Sequence, residues 1–175
     1  WVLNQAMNDG AQIINLSASS DDGNDQMKWT VARAMSSGVI LVAAAGNDGF
    51  DNDDLSLSKW SGVVGVTAIG TDGTRQDYSS SGEGVVTTSI GGPVLFRNFD
   101  TGANDTVSGT SVASPIVAGV LALAKQRWPE ATSNQLLQLL VKTGLNPDHG
   151  WNKYTGFGGI DPGAILNTDP SQFPD

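Results

Sequence analysis

Cysteine is absent from the 175 residues, which excludes a disulfide framework and any thiolate metal site and leaves the redox compartment open. Basic residues are few, 9 Lys and Arg against 18 Asp and Glu, for a net charge of −9. A chain so short of cations is a poor candidate for general nucleic-acid binding, because that work is done by neutralising phosphates. The acidic balance favours solubility and divalent cations. Long apolar runs are missing too. Residues 112–124 give the longest, about 13 positions broken by Ser114 and Pro115, short of the roughly 20 that a membrane helix needs. No signal peptide is visible. Residues 1–7 read as the inside of a helix, so a preceding segment is expected.

Glycine is what the chain has in excess, 22 of 175 residues, well above the usual share of about 7%. No collagen-like repeat accompanies it, so the excess points to tight turns and close backbone approaches. The length suits one domain with a real core, and no internal repeat or linker divides it.

Apolar spacing predicts a helix over 1–8, a strand over 11–17 and a helix over 26–36 with Met27, Val31, Ala34 and Met35 on one side. Continuous apolar runs at 39–45 and 63–69 read as strands buried on both faces. Residues 84–89 and 94–96 are short β-like runs, whereas 101–108 is polar and reads as loop. A small-residue helix spans 110–127, stopped by Pro129. Thr132 and Gln135 form a capping box for a helix that buries Leu136, Leu137, Leu139, Leu140 and Val141 before Gly144. The remainder reads as loop with short apolar stretches at Ile160 and 164–166. Strands alternating with helices predict an α/β domain, three layers with a mainly parallel sheet.

Two segments carry chemistry. In Gly109-Thr110-Ser111-Val112-Ala113-Ser114-Pro115, a serine in the first turn of a buried helix sits at the positive end of the helix dipole. That suits a nucleophile whose transition state gathers negative charge on a neighbouring oxygen. An ordinary N-cap serine or threonine explains the same residues equally well. Gly109 would leave room for a substrate backbone, and Ala113, Ala118 and Gly119 would let the helix pack closely. In Ala43-Ala44-Ala45-Gly46-Asn47, a strand ends on an asparagine able to offer an amide donor. Gly46-Asn47-Asp48-Gly49 is also simply a good turn.

The first segment, continued by Val117-Ala118-Gly119, resembles the serine signature of the subtilisin-like proteases, with seven or more positions agreeing in register. The second resembles that family's oxyanion-hole strand, and the two stand in the family's order. The resemblance implies a subtilisin-like serine endopeptidase in which Ser111 is the acyl-forming nucleophile and Asn47 the oxyanion donor, with Thr110 as support. Residues 13–17 resemble the strand leading to the substrate-binding edge, where a peptide adds as an extra strand. By that likeness Ser17, Ala18 and Ser19 contact substrate, although the family commonly has glycine where Ser19 stands. By the same likeness Ala43, Ala44, Ala45 and Gly46 would line one wall of the specificity pocket.

The family's aspartate and histidine precede its serine. The only histidine, His149, follows Ser111 in a polar loop and reads as a solvated residue. The chain therefore reads as the C-terminal part of one catalytic domain, near-inactive alone for want of a base. Its expected partners are a peptide or protein substrate and the N-terminal part of its own domain, with self-association through the truncated sheet as a further expectation. No cofactor is required for the chemistry. The acidic runs 21–25 and 47–54 could serve structural calcium, with solvated loops the plainer reading. The family further implies secretion or another extracytoplasmic location. Two other readings remain open: a non-catalytic relative that only binds peptides, and an α/β-hydrolase-type esterase using Ser111 with His149. The elbow pattern of such esterases has glycine where Ala113 stands.

Overall fold

The computed structural model describes residues 2–18, 25–51, 57–146 and 150–175. Four strands, β1 (Ile13–Leu16), β2 (Ile40–Ala44), β3 (Val63–Ile69) and β4 (Val85–Ile90), form one parallel sheet in the order β1-β2-β3-β4. Strand β2 shows why. Its Ile40 and Val42 pack into the cluster on one face, and Leu41 and Ala43 into the cluster on the other. Such double-sided burial selects a continuous apolar run. The register sets Leu16 against Ala43 and Ala44 against Val66, so the carboxyl ends of the first three strands emerge along one rim.

Helices α3 (Thr110–Arg127), α4 (Ser133–Lys142) and α5 (Pro162–Asn167) cover one face. There Val117, Leu121, Leu136, Leu139, Leu140 and Ile165 meet Val42, Val64 and Val66. Helices α1 (Val2–Asn8) and α2 (Asp25–Ser36) cover the other, with Met7, Val31 and Ala34 against Leu41, Ala43 and Val63. The expected three-layer α/β/α architecture is therefore observed. The capping box of α4 is formed in full: Gln135 N–H donates to the Thr132 hydroxyl and Thr132 N–H to the Gln135 side chain.

The two edges of the sheet differ. Along β4 the chain returns in 157–160, with Phe157 N–H donating to Val86 O and Ile160 N–H to Thr88 O. Along the outer edge of β1 no strand pairs among the described residues.

Four expectations are corrected. The polar stretch before Gly109 contains a strand: β6 (Asn104–Val107) pairs antiparallel with β5 (Val94–Arg97) in a separate two-stranded sheet. All four β6 residues are exposed, so no inward-outward alternation betrays it. Helix α5 lies in the stretch read as loop. Met35 is exposed, and Thr30 takes its place on the buried side of α2. Among the described residues Gly119 mediates no close packing: it is exposed, and nothing lies within 4 Å of where its Cβ would be.

Candidate active site

The rim at the carboxyl ends of β1 and β2 meets the start of α3. Gly109 precedes that helix with φ 154° and ψ 162°, a region essentially reserved for glycine. Its N–H donates to Gly91 O at 2.7 Å. The same carbonyl receives the Tyr78 hydroxyl at 3.0 Å, and burial pushes the Tyr78 phenol above its ordinary value of 10.0. Gly91 O thus joins the entry to the helix and the Tyr78 hydroxyl at one acceptor.

A helix opens with N–H groups that lack intrahelical partners. Here no serine or threonine of the motif caps its own helix. The cap comes from 63 residues away, as Asn47 Oδ1 accepts from Thr110 N–H at 2.8 Å and from the Thr110 hydroxyl at 3.1 Å. The Thr110 hydroxyl in turn accepts from Gly46 N–H at 3.1 Å. Thr110 is fully buried, so its hydroxyl fixes Asn47 rather than reaching a substrate. Val112 and Ala113 N–H both turn back to Gly109 O. The Ser111 N–H is the one donor of this first turn without an acceptor among the described residues.

With its oxygen engaged, Asn47 can turn only its amide nitrogen outward. A Cβ placed on Gly109 would lie 3.0 Å from Ser111 Oγ and 3.4 Å from Asn47 Nδ2. The Ser111 hydroxyl and the Asn47 amide therefore border one small space, kept open by a missing side chain. The loop bearing Asn47 is fastened to the serine-rich segment beside it. Ser80 N–H donates to Gly46 O at 3.0 Å, Gly49 N–H to Tyr78 O at 2.9 Å and Ser81 N–H to Phe50 O at 3.0 Å. At its far end Asp51 accepts from the Ser81 hydroxyl at 2.6 Å and pairs with Lys153 at 2.7 Å. The hydrogen bonds from Lys153 and Ser81 hold the Asp51 carboxyl below its ordinary 3.8.

The structure brings Ser111, Asn47, Thr110, Gly46 and Ser17 to one place. Ser111 is partly exposed and Asn47 exposed. Ser17 and Ala18 are exposed at the end of β1, whereas Ser19 lies outside the described residues. Within the expected pocket wall, Ala43 and Ala45 are fully buried, so Ala44 and Gly46 are the ones that reach the surface. His149 lies outside the described residues, and no described histidine stands beside Ser111. The acidic run 21–25 falls outside them except for Asp25, as do residues 52–54 of the second run. Among the described residues no group of three acidic or histidine side chains could hold a metal. The strand before Gly109 belongs to the outlying hairpin, not to the parallel sheet that carries an α/β-hydrolase elbow. Sequence reasoning missed Tyr78 and Gly91, whose roles rest on contacts between distant segments.

Comparison with known proteins bears on the family and the fold. The model of the subtilase family matches residues 2–158. A thermostable alkaline protease of Halalkalibacterium halodurans is 38% identical over 140 residues, covering 79% of this chain and 38% of that protein. Subtilisin DY of Bacillus licheniformis is 31% identical over 144 residues, covering 81% and 52%. Among solved structures, MycP1 with its N-terminal propeptide removed superimposes with a TM-score of 0.83 at 26% identity, covering 95% of this chain and 65% of that one. Fervidolysin from Fervidobacterium pennivorans gives 0.82 at 27% identity, with 95% and 28% covered. The chain thus spans between 38% and 52% of the length of these two curated relatives.

Proposed function

The chain belongs to the subtilase family, and from that premise we propose that the protein containing it hydrolyses peptide bonds by acyl transfer to Ser111. The observation that carries this is the shared space in front of Gly109, bordered by Ser111 Oγ and Asn47 Nδ2. In the proposed reaction Ser111 Oγ attacks the scissile carbonyl carbon. Negative charge then grows on the carbonyl oxygen, where Asn47 Nδ2 and the Ser111 N–H donate to it. The leaving amine departs with a proton, and water releases the acyl group from Ser111. Donors fixed before substrate arrives need no reorganisation when the charge appears. None of these steps calls for a cofactor.

A serine hydroxyl needs a base to lose its proton, and the 175 residues by themselves are proposed to lack one. The base would come from polypeptide outside them. Two surfaces support such a partner. Among the described residues no strand pairs with the outer edge of β1, and the solvent side of α3 carries exposed Ile116 and Leu123 around Gly119. Unpaired edges and apolar faces of this kind are normally covered. We assign the N-terminal part of the same domain as their cover, with self-association of the separated chain as the consequence of its removal. Gly119→Ala should then destabilise the intact protein. A gain of about 0.4–1 kcal/mol, as for a compatible helical glycine in water, would show the face to be uncovered. Family membership also supports an extracytoplasmic site of action, which fractionation of the producing cell would test.

The central test is intact-mass analysis after treatment with a fluorophosphonate. The intact protein should gain one adduct, mapped to Ser111, and the separated 175 residues none. An adduct on Ser111 of the separated chain would place a base within it. His149, the only histidine, would become that base. An intact protein that gains no adduct would refute the acyl-transfer reading.

A further inference from the structure

Pro115 lies inside α3, four residues after Ser111. In a helix the carbonyl of residue i accepts from the N–H of i+4, and proline has none. The Ser111 carbonyl is therefore deprived of its helical partner. It is not left bare, because the Ser17 hydroxyl, at the end of β1, donates to it at 3.1 Å. That hydroxyl accepts from Asn15 Nδ2 at 2.8 Å. The Asn15 oxygen is held in turn by the Ser114 hydroxyl, and Ser114 is fully buried. Each donor in this line has a defined acceptor, so the Asn15 carboxamide has one orientation and the Ser17 proton points one way. Chains of this kind reinforce each other's polarity.

From this we infer that Ser17 and Asn15 are positioning residues for the nucleophile: they tie the peptide carbonyl of Ser111 to the sheet and so set where Oγ stands. The inference rests on the reading of Ser111 as nucleophile. It gives the Ser17 side chain a different task from the substrate contact that the family likeness implied. The Ser17 main chain stays available to a substrate. Two anchors then flank the serine, Asn47 on the N–H of Thr110 and Ser17 on the carbonyl of Ser111, each from a different strand end. Misplacement of a reacting group by 1 Å can cost about 10²-fold in rate. A hydroxyl lost from one of two anchors should cost less, about tenfold.

The experiment is steady-state kinetics on the intact protein with Ser17→Ala, Ser17→Thr and Asn15→Ala, alongside Ser111→Ala. Ser17→Ala should lower kcat about tenfold with KM changed less than about twofold, and slow fluorophosphonate labelling by a similar factor. Ser17→Thr keeps the hydroxyl and should recover most of the loss, and Asn15→Ala should resemble Ser17→Ala. Ser17 is exposed, so its variants should fold. A rise in KM at unchanged kcat would overturn the inference in favour of a substrate contact. Unchanged values of both would overturn it outright, as would a loss that Ser17→Thr does not repair. Full turnover by Ser111→Ala would instead remove the nucleophile reading itself, whatever Ser17 does.

Discussion

Alanine at Gly109 would test the geometry of the site more severely than deletion of any reacting group. The backbone there has φ 154° and ψ 162°. An L-residue held in such a region costs about 1–3 kcal/mol. The added Cβ would also stand 3.0 Å from Ser111 Oγ and 3.4 Å from Asn47 Nδ2. The first distance is tighter than an ordinary carbon–oxygen contact, so Ser111 must turn or the start of α3 must retreat. Retreat is opposed by Gly91, which binds the Gly109 N–H at 2.7 Å, and by Asn47 on Thr110. Gly109→Ala should therefore destabilise the intact protein by about 1–3 kcal/mol. It should also lower kcat by about 10²-fold, the scale of a 1 Å displacement. Urea unfolding monitored by tryptophan fluorescence gives the first number, and active-site titration followed by turnover gives the second. Unchanged stability would mean that the backbone at 109 is not in this region. Unchanged turnover with lowered stability would mean that the space in front of Gly109 is not where the carbonyl sits.

Other outcomes follow from single contacts. Asn47→Asp keeps an acceptor for Thr110 but loses the amide donor, so thermal stability should stay within a few degrees while kcat falls. The fall should be of order 10²–10³-fold, as for loss of the oxyanion asparagine in the related subtilisin. Tyr78 has its phenol pKa raised by burial, so its contribution to stability is complete below pH 10.0 and is lost as pH rises from there through the folded-state value. Tyr78→Phe should flatten that alkaline loss in pH-dependent unfolding. Asp51 has its pKa lowered by Lys153 and Ser81, so its contribution is present above 3.8 and disappears as pH falls through the lower folded value. Asp51→Asn should remove that part of the acid dependence. Thr132→Ala breaks the capping box of α4 and should cost about 1 kcal/mol in denaturant unfolding.

Much of the fold was legible because burial writes itself into the sequence. Strand β3 and helix α3 have the predicted bounds, 63–69 and 110–127, since each is apolar where it is covered and stopped by glycine, serine or proline. Strand β6 was not legible, because Asn104 through Val107 are exposed on both sides and carry no pattern. Helix α5 was missed for its brevity. Its signal was present, however, in Asp161-Pro162, where the aspartate accepts from Ala164 N–H and proline takes the first turn. The site divides the same way. Motif likeness singled out Ser111 and Asn47 as the candidate residues. The cap that Asn47 places on a helix 63 residues distant, and the diversion of the Ser17 hydroxyl to Ser111, depend on which strand ends lie side by side. No local pattern encodes that.

The carboxamide of Asn47 has a consequence for how the proposed protease would meet its substrates. Its oxygen is committed to Thr110, so the group is already oriented when the chain finishes folding. Ordering happens once per molecule, and under the proposed acyl transfer each catalytic cycle would reuse it. The loop that carries it is open to water yet laced to the neighbouring segment, which leaves it little freedom to adapt. Under the proposed function, adjustment would then fall to the incoming peptide. Flexible, extended segments should be cut readily, and a rigid folded protein should resist until one of its own loops gives way.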